Sequence, residues 1–126
     1  MRTINISVGF LYFLFLSVLM QGCNKEGLWI RVENNSTMTY NNVRVNPAGN
    51  EINFGDLAPG ERSAYKQFEM AYRYAYVKLI IEGKEYILQP IDYVGETPLS
   101  DGQYTYIIGV ADLENQYGLT IDLGQE

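Results

Sequence analysis

Beyond residue 26 the chain alternates apolar and polar positions with the period of two that is expected for half-buried β-strands. The first such segment places Leu28, Ile30 and Val32 on one side. The longest alternation runs from Tyr74 to Ile81, with alanine, valine, leucine and isoleucine on one side and mostly tyrosine and lysine on the other. No segment here shows the 3.6-residue period of an amphipathic helix. The pattern therefore predicts a domain built from strands.

Turn-forming residues divide the rest of the chain into further short strands. Glu82-Gly83 fits a two-residue hairpin turn, and residues 91–100 form a longer connection. Other turns are predicted at 34–37, 46–50, 57–61 and 112–115. The further strands are Val43–Val45, Ile52–Phe54, Ser63–Phe68, Lys84–Leu88, Tyr104–Ala111 and Leu119–Leu123. About eight short strands spaced by turns are typical of an all-β sandwich or barrel.

The residues before one predicted strand indicate the architecture more specifically. Leu99-Ser100-Asp101-Gly102-Gln103-Tyr104 resembles the tyrosine corner of Greek-key sandwiches, in which a tyrosine near the start of a strand bonds back to the preceding connection. The resemblance implies a single antiparallel β-sandwich of seven to eight strands, either immunoglobulin-like or transthyretin-like, over residues 28–126. It also implies a hydrogen bond from the Tyr104 hydroxyl to the chain just upstream.

The first 22 residues have a different character. Met1 and Arg2 give a positive start, and the 13 residues from Val8 to Met20 carry no charge. This run is shorter than the ~20 apolar residues that a membrane-spanning helix needs. A positive start, a short apolar helix and a small residue such as Gly22 before the cut are typical of an export signal. We therefore expect residues 1–22 to be a signal peptide that is removed.

Leu19-Met20-Gln21-Gly22-Cys23 resembles a lipobox, the site at which lipoprotein signal peptidase cuts before a lipidated cysteine. Gly22 and Cys23 match the pattern, whereas Met20 and Gln21 stand where it prefers a leucine and a small residue. The resemblance implies a lipid anchor on Cys23, with a diacylglyceryl group and acyl chains such as palmitate, and a lipidated tether over residues 23–27. Two or more chains hold a protein durably. The alternative, a free thiol, is a liability in an oxidising compartment.

Lys25-Glu26, just after the cysteine, is similar to the signal that marks some Gram-negative lipoproteins for the outer cell face. The resemblance implies a place in the bacterial cell envelope, at the outer membrane and displayed on the surface. A plain solvated tether is the alternative interpretation. Removing Arg2 with the signal leaves eight basic and 15 acidic residues, a net charge of −7. Such a surface repels nucleic acid, so no nucleic-acid partner is expected.

The composition also narrows the available chemistry. The chain has no histidine and its one cysteine is Cys23, so Ser-His and Cys-His nucleophile systems and His or Cys zinc sites are excluded. Two carboxylate pairs remain as a catalytic option, and one of them, beside an asparagine, is also a calcium option. Both pairs lie in predicted connections, where charged side chains normally only keep the chain solvated. We therefore expect no enzyme, metal or cofactor. The pairs are Asp92 with Glu96, and Asp112 with Glu114 next to Asn115.

Tyrosine is the conspicuous residue type, because ten of the 11 tyrosines follow the signal peptide. Tyr72, Tyr74 and Tyr76 recur at every second residue, so on a strand all three project from one face. Such a face suits protein or sugar contacts, since tyrosine combines a rigid apolar ring with a polar tip. The structural alternative is that tyrosine simply favours pleated sheets and fills cross-strand pairs. The three tyrosines are the predicted binding face.

These observations predict a membrane-anchored envelope lipoprotein that acts as a non-catalytic binding or adhesion module for a protein or glycan. A second hypothesis is a structural or assembly subunit, by analogy with lipoprotein pilins. It would donate an edge strand, either Leu28–Glu33 or Leu119–Leu123. A carboxylate-dependent enzyme, or an inhibitor of one, is the third hypothesis.

Overall fold

Eight β-strands and no helix make up the part of the chain that the computed structural model describes, which is residues 26–90, 96–113 and 116–126. The prediction of an all-β fold is therefore confirmed. The strands are β1 Leu28–Asn35, β2 Tyr40–Asn46, β3 Ile52–Leu57, β4 Lys66–Phe68, β5 Tyr76–Ile81, β6 Lys84–Leu88, β7 Gly102–Leu113 and β8 Gln116–Gln125. Outside the described residues lie the predicted signal peptide 1–22, the lipidation site Cys23, and Asp92, Glu114 and Asn115.

The strands form two four-stranded sheets that enclose one core. The β1 sheet has the order β4-β1-β7-β8, and the β2 sheet has the order β3-β2-β5-β6. The chain crosses between the sheets after β1, β3, β4 and β6. The sandwich predicted from the strand count is therefore confirmed.

One part of the predicted architecture is wrong, because the sandwich is not purely antiparallel. β1 pairs with β7 in parallel, from Leu28 opposite Gly102 to Asn35 opposite Gly109. Alternation predicts which face of a strand is buried, but it carries no information on the direction of a partner that lies more than 70 residues away. Parallel strands need a long crossover, and here β2 to β6 supply it.

The core is built from alternate residues of both sheets. β1 buries Leu28, Ile30 and Val32, and β5 buries every second residue up to Ile81, as the alternation predicts. Fully burying one such side chain stabilises the fold by ~1.5–3 kcal/mol, so these strands are held mainly by their inner faces. Leu119 of β8 is also buried, and Ile121 and Leu123 pack against the same core.

Of two turns predicted from the sequence, one is confirmed and the other begins later than predicted. Glu82 and Gly83 have φ values of 50° and 78° and join Ile81 to its partner Lys84, so the two-residue hairpin is confirmed. In contrast, β1 continues through Asn34, which is fully buried although the sequence predicts a turn there.

The Asn34 side chain explains why a buried asparagine is tolerated in β1. Its Nδ2 donates to the carbonyl oxygens of Met38, at 2.7 Å, and Leu57, at 2.9 Å. Its Oδ1 accepts from the backbone N–H of Ser36 at 3.0 Å and from the Ser36 hydroxyl at 2.8 Å. These four hydrogen bonds use the full capacity of the amide, so burial leaves no polar atom of Asn34 unsatisfied.

The sandwich has two ends, which the strand directions define. At one end, which we name the tether end after the tether predicted at 23–27, β1 begins beside β7, and the Gly102 N–H donates to the Gly27 carbonyl at 2.9 Å. The turn 47–51 and the segment 69–75 lie at this end as well, because Asn46 pairs with Tyr76. The far end carries the turn 36–39, the connection 58–65 and the β5–β6 hairpin.

Candidate functional site

The segment 69–75, which joins β4 to β5, presents its large side chains because its small ones are buried. Ala71 and Ala75 are both fully buried. The Ala71 carbonyl accepts from the Leu99 N–H at 2.8 Å, and the Tyr72 carbonyl accepts from the Tyr106 hydroxyl at 2.6 Å. The backbone of this segment is therefore fastened to the next connection and to β7, while the side chains between the alanines are directed outward or along the surface.

The predicted binding face is placed differently from the expectation. β5 begins at Tyr76, so Tyr72 and Tyr74 precede the strand and the three tyrosines do not form one strand face. Tyr72 and Tyr76 are half-buried and line one cleft. Tyr74 is 40% exposed. The alternation of tyrosine and alanine begins several residues before the strand does. Periodicity alone does not show where the backbone joins the sheet.

The tyrosine cleft, as we name it, has a volume of about 690 Å³ at the tether end of the β2 sheet. The turn 47–49 forms part of its lining. The side chains relevant to its chemistry are Asn46, Glu51, Tyr72, Tyr76, Lys78 and Gln89.

The turn in the wall of the tyrosine cleft is fixed by its own hydrogen bond. Asn46 Oδ1 accepts from the Gly49 N–H at 2.7 Å, and Pro47 is fully buried. Gly49 has a φ of 101°, a conformation that side chains with a Cβ rarely adopt. The wall is therefore formed before any ligand arrives, which lowers the entropy cost of binding.

The groups in the tyrosine cleft suit recognition of a polar ligand. The two tyrosines offer apolar ring surface with polar tips, and Gln89 offers an amide donor and acceptor. Lys78 Nζ lies 3.6 Å from Glu85 Oε2, so its positive charge has a nearby counter-charge. Glu51 is the carboxylate among the described lining residues. Ring surface combined with a few convergent polar groups is typical of a binding site.

Two further clefts lie at the tether end. One, of about 380 Å³, is lined by Pro47, Ile52, Phe68 and Met70, and the turn at Pro47 separates it from the tyrosine cleft. The other, of about 440 Å³, lies between Gly27, Phe68 and Asp101. The tether end thus carries a series of open depressions around the start of β1.

Three buried tyrosines have structural roles instead. The Tyr104 hydroxyl donates to the Ser100 carbonyl at 2.8 Å, so the predicted tyrosine corner is confirmed. The Tyr40 hydroxyl donates to the Ile108 carbonyl at 2.9 Å and connects the two sheets. Burial raises the pKa of Tyr40 above 10.0, and a hydrogen bond to Ser36 partly opposes this shift. Tyr106 holds the segment 69–75, so these three follow the structural interpretation of the tyrosine content.

One member of each proposed carboxylate pair lies outside the residues that the structure describes. Asp92 and Glu114 lie outside the described residues, and Glu96 is half-buried in the connection before β7. Among the described residues no three side chains of His, Cys, Asp or Glu form a group that could hold a metal ion. The described carboxylate with the richest polar contacts is Glu126, which accepts from Arg31 and Thr105, each at 2.8 Å. These hydrogen bonds lower the pKa of Glu126, whereas a general acid needs a raised one.

The two candidate donor strands differ in their position within the β1 sheet. β1 lies between β4 and β7 and pairs with both, so the prediction that Leu28–Glu33 is a free edge is wrong. β8 is an edge strand, so Leu119–Leu123 lies at the border of the sheet. No described segment forms a helix long and apolar enough to cross a membrane.

Comparisons with known proteins support the fold and give no information on the chemistry. No protein family matches the chain, and no curated protein matches it. The chain is similar to the NMR structure of a protein from Eubacterium rectale, with a TM-score of 0.55 and 17% sequence identity. The match covers 79% of this chain and 94% of that chain. At this identity the likeness supports the fold alone.

Proposed function

We propose that the chain is a bacterial envelope lipoprotein, anchored through lipid on Cys23, whose sandwich domain binds a ligand in the tyrosine cleft without catalysis. The observation that carries the proposal is that Tyr72 and Tyr76 line one cleft whose wall is already ordered. The anchor is supported by the lipobox-like sequence before Cys23 and by the short uncharged run that precedes it.

A glycan is the ligand class that the cleft supports best. Sugar rings stack on aromatic side chains through their C–H faces, and their hydroxyl groups pair with amides and charges such as Gln89 and Lys78. A folded protein partner generally needs about 800 Å² of surface on each side, more than a cleft of this kind provides. Hydrolysis of the glycan normally needs two carboxylates, whereas Glu51 is the carboxylate among the described lining residues.

The full-length lipidated protein, inserted in nanodiscs, tests the proposal on a glycan array. The variant Tyr76→Ala should weaken capture of the bound glycan about tenfold, since loss of an aromatic contact costs ~0.5–1.5 kcal/mol and 1.4 kcal/mol is tenfold. Tyr65→Ala is the matched control, because Tyr65 stacks with Arg31 at 4.7 Å on the β1 sheet, away from the cleft. Unchanged capture by Tyr76→Ala, with a normal melting temperature, would contradict the proposal.

Within the sandwich class, we infer that the transthyretin-like arrangement is the better match. Constant-type immunoglobulin domains keep their first, second, fourth and fifth strands in one sheet. Here β1 and β4 lie in one sheet and β2 and β5 in the other. Of the two arrangements that the tyrosine corner leaves open, the strand order therefore supports the transthyretin-like one.

An assembly role is a second candidate because β8 is a ten-residue strand at the edge of its sheet. Exposed strand edges present unpaired backbone groups that can accept another strand. Analytical ultracentrifugation of the detergent-solubilised protein should then show concentration-dependent self-association, with slow hydrogen exchange along β8 only in the associated form. A monomer at every concentration, with β8 exchanging freely, would remove this candidate.

A further inference from the structure

The described part of the chain leaves three large apolar side chains exposed, and all three lie toward the tether end. Met70 is 48% exposed and Tyr74 is 40% exposed, both in the segment 69–75. Ile87 is 51% exposed and stands one residue before β6 ends at Leu88, which pairs with Val77 near the start of β5. Single exposed apolar residues are common on protein surfaces, so their concentration at one end is the informative feature.

Met70 and Tyr74 are held outward by a fixed backbone. Their neighbours Ala71 and Ala75 are fully buried, and the Ala71 and Tyr72 carbonyls accept hydrogen bonds from Leu99 and Tyr106. The segment cannot turn these side chains inward without breaking those contacts and uncovering the alanines. A surface that is ordered in this way loses little conformational entropy when something covers it.

The short length of the predicted tether limits how far this end can lie from the lipid anchor. Four residues lie between Cys23 and Leu28. The five extended steps from one Cα to the other span at most about 18 Å. Gly27 is already fixed to Gly102 by a hydrogen bond, so the start of β1 cannot move away from the sandwich. A lipid anchor on Cys23 therefore keeps the tether end next to the bilayer. This step rests on the anchor proposed above. The tyrosine cleft lies on the outer face of the β2 sheet, which carries Tyr76 and Lys78, and so opens to the side of the tether end.

We propose that Met70 and Tyr74 insert into the headgroup region of the bilayer that carries the anchor, so that the domain docks on its own membrane in one orientation. Tyrosine is enriched at membrane–water interfaces because its ring is apolar and its tip is polar. The short tether gives these side chains a high effective concentration at the surface, so a weak insertion is enough to fix the orientation.

The charges at the tether end select the type of headgroup. Carboxylates and cations are both present around this end, and residues 23–126 together carry a net charge of −7. This overall excess of acid disfavours an anionic surface, so the docking partner is a bilayer of zwitterionic phospholipid. The described carboxylates near this end are Glu26, Glu51, Glu69, Glu96 and Asp101, and the cations are Arg44, Lys66, Arg73 and Lys78.

Fluorescence quenching by brominated lipids tests the docking on the full-length lipidated protein. The natural Trp29, the one tryptophan of the chain, is first replaced by phenylalanine. Tyr74→Trp then reports on the tether end, and Ala58→Trp, at an exposed position of the far end, is the matched control. In brominated phosphatidylcholine vesicles we expect Tyr74→Trp to lose about half of its emission, because interfacial side chains lie ~5–10 Å into the headgroup boundary. Ala58→Trp should lose almost none.

The outcomes separate the docking from the anchor. Mass spectrometry of the same samples records the acyl chains, and their absence from Cys23 would overturn the proposed anchor together with the docking. If the protein is lipidated but both reporters stay bright, or both are quenched equally, the docking alone is wrong. Crosslinking of a bright Tyr74→Trp reporter to a second copy would instead make this surface a contact between copies. Adding anionic phosphatidylglycerol should reduce the quenching, and an increase would contradict the role given to the carboxylates.

Discussion

The two ends of the sandwich differ in what holds their loops and in what they leave exposed. At the far end one buried amide, that of Asn34, makes four hydrogen bonds that fasten β1, the turn 36–39 and the end of β3 together. At the tether end separate hydrogen bonds hold the loops one by one, and three clefts remain between the described loops. The donors are Tyr104, Tyr106, Leu99, Gly102 and Gly49. One end is thus organised around a single buried side chain, and the other around separate bonds with open surface between them.

Backbone hydrogen bonds also hold the far end together. The Gly60 N–H donates to the Asn34 carbonyl at 2.8 Å, and the Asn34 N–H donates to the Glu61 carbonyl at 2.9 Å. Arg62 adds an ion pair with Glu33 at 2.7 Å, although exposed ion pairs contribute little. The connection 58–65 is therefore joined to β1 along much of its length.

The largest expected effect is on the far end. Asn34→Ala removes four hydrogen bonds and leaves buried carbonyls without a donor, so we expect the free energy of unfolding to fall by about 3–4 kcal/mol. Urea denaturation monitored by circular dichroism measures this loss. The neighbour Asn35 is exposed, and Asn35→Ala should change stability by less than about 0.5 kcal/mol. Equal effects of the two substitutions would remove the special role given to Asn34.

The next effect concerns local opening of the segment 69–75 at the tether end. Tyr106→Phe deletes one buried hydroxyl and its hydrogen bond to the Tyr72 carbonyl, which should cost about 1–2 kcal/mol and speed hydrogen exchange across 69–75. Tyr40→Phe is the matched control, because its hydroxyl is also buried but donates to Ile108. It should lower stability by a similar amount without a selective effect on 69–75. The comparison fails if both variants loosen that segment alike.

A smaller effect is expected at the wall of the tyrosine cleft. No atom beyond its chain neighbours lies within 4 Å of the place where a Cβ on Gly49 would stand, so Gly49→Ala meets strain from its positive φ and no clash. We expect a loss of about 1 kcal/mol in stability and weaker glycan capture. Gly60→Ala at the far end has the same strain without a clash and should leave capture unchanged. Identical capture by the two variants would show that the turn does not shape the cleft.

The smallest effect concerns pH. Hydrogen bonds from Arg31 and then Thr105 lower the pKa of Glu126 below its ordinary 4.5. A group whose folded pKa is depressed stabilises the fold above its unfolded pKa, and this contribution is lost as the pH falls through the folded pKa. Glu126→Gln should therefore lower the melting temperature slightly at neutral pH and not at all in strong acid. A variant whose deficit persists unchanged at low pH would contradict the assigned cause.

Local patterns in the sequence predicted much of the fold, because each of them is decided by neighbours along the chain. The alternation at Leu28, Ile30 and Val32, the hairpin at Glu82-Gly83 and the corner at Tyr104 depend on the pleat, on φ and on a short reach back. The direction of β7 beside β1 and the burial of Asn34 depend on residues far away. From the sequence alone Asn34 indicates a turn, and only its hydrogen bonds to Met38 and Leu57 explain why it lies buried in a strand.

The candidate site was predicted only in part for the same reason. The repeat of Tyr72, Tyr74 and Tyr76 drew attention to the segment that contributes to the tyrosine cleft, but the start of β5 and the burial of Ala71 decide which tyrosines meet. Lys78 shares one side of the β5 alternation with Tyr76, so the sequence does link these two. The cleft also needs the turn 47–49 and Gln89, which nothing in the sequence links to the tyrosines. Met70 carries no pattern at all, and its exposure follows from the backbone of its neighbours.

The central place of β1 has a mechanical consequence. A pull on a lipid attached to Cys23 would enter the domain through the first residue of a strand that is bonded on one side to β4 and on the other, over eight residues, to β7. The hydrogen bonds to β4 and to β7 share such a load, because they lie on opposite sides of β1. In the proposed anchored form the attachment point is therefore held by two neighbouring strands and not by one.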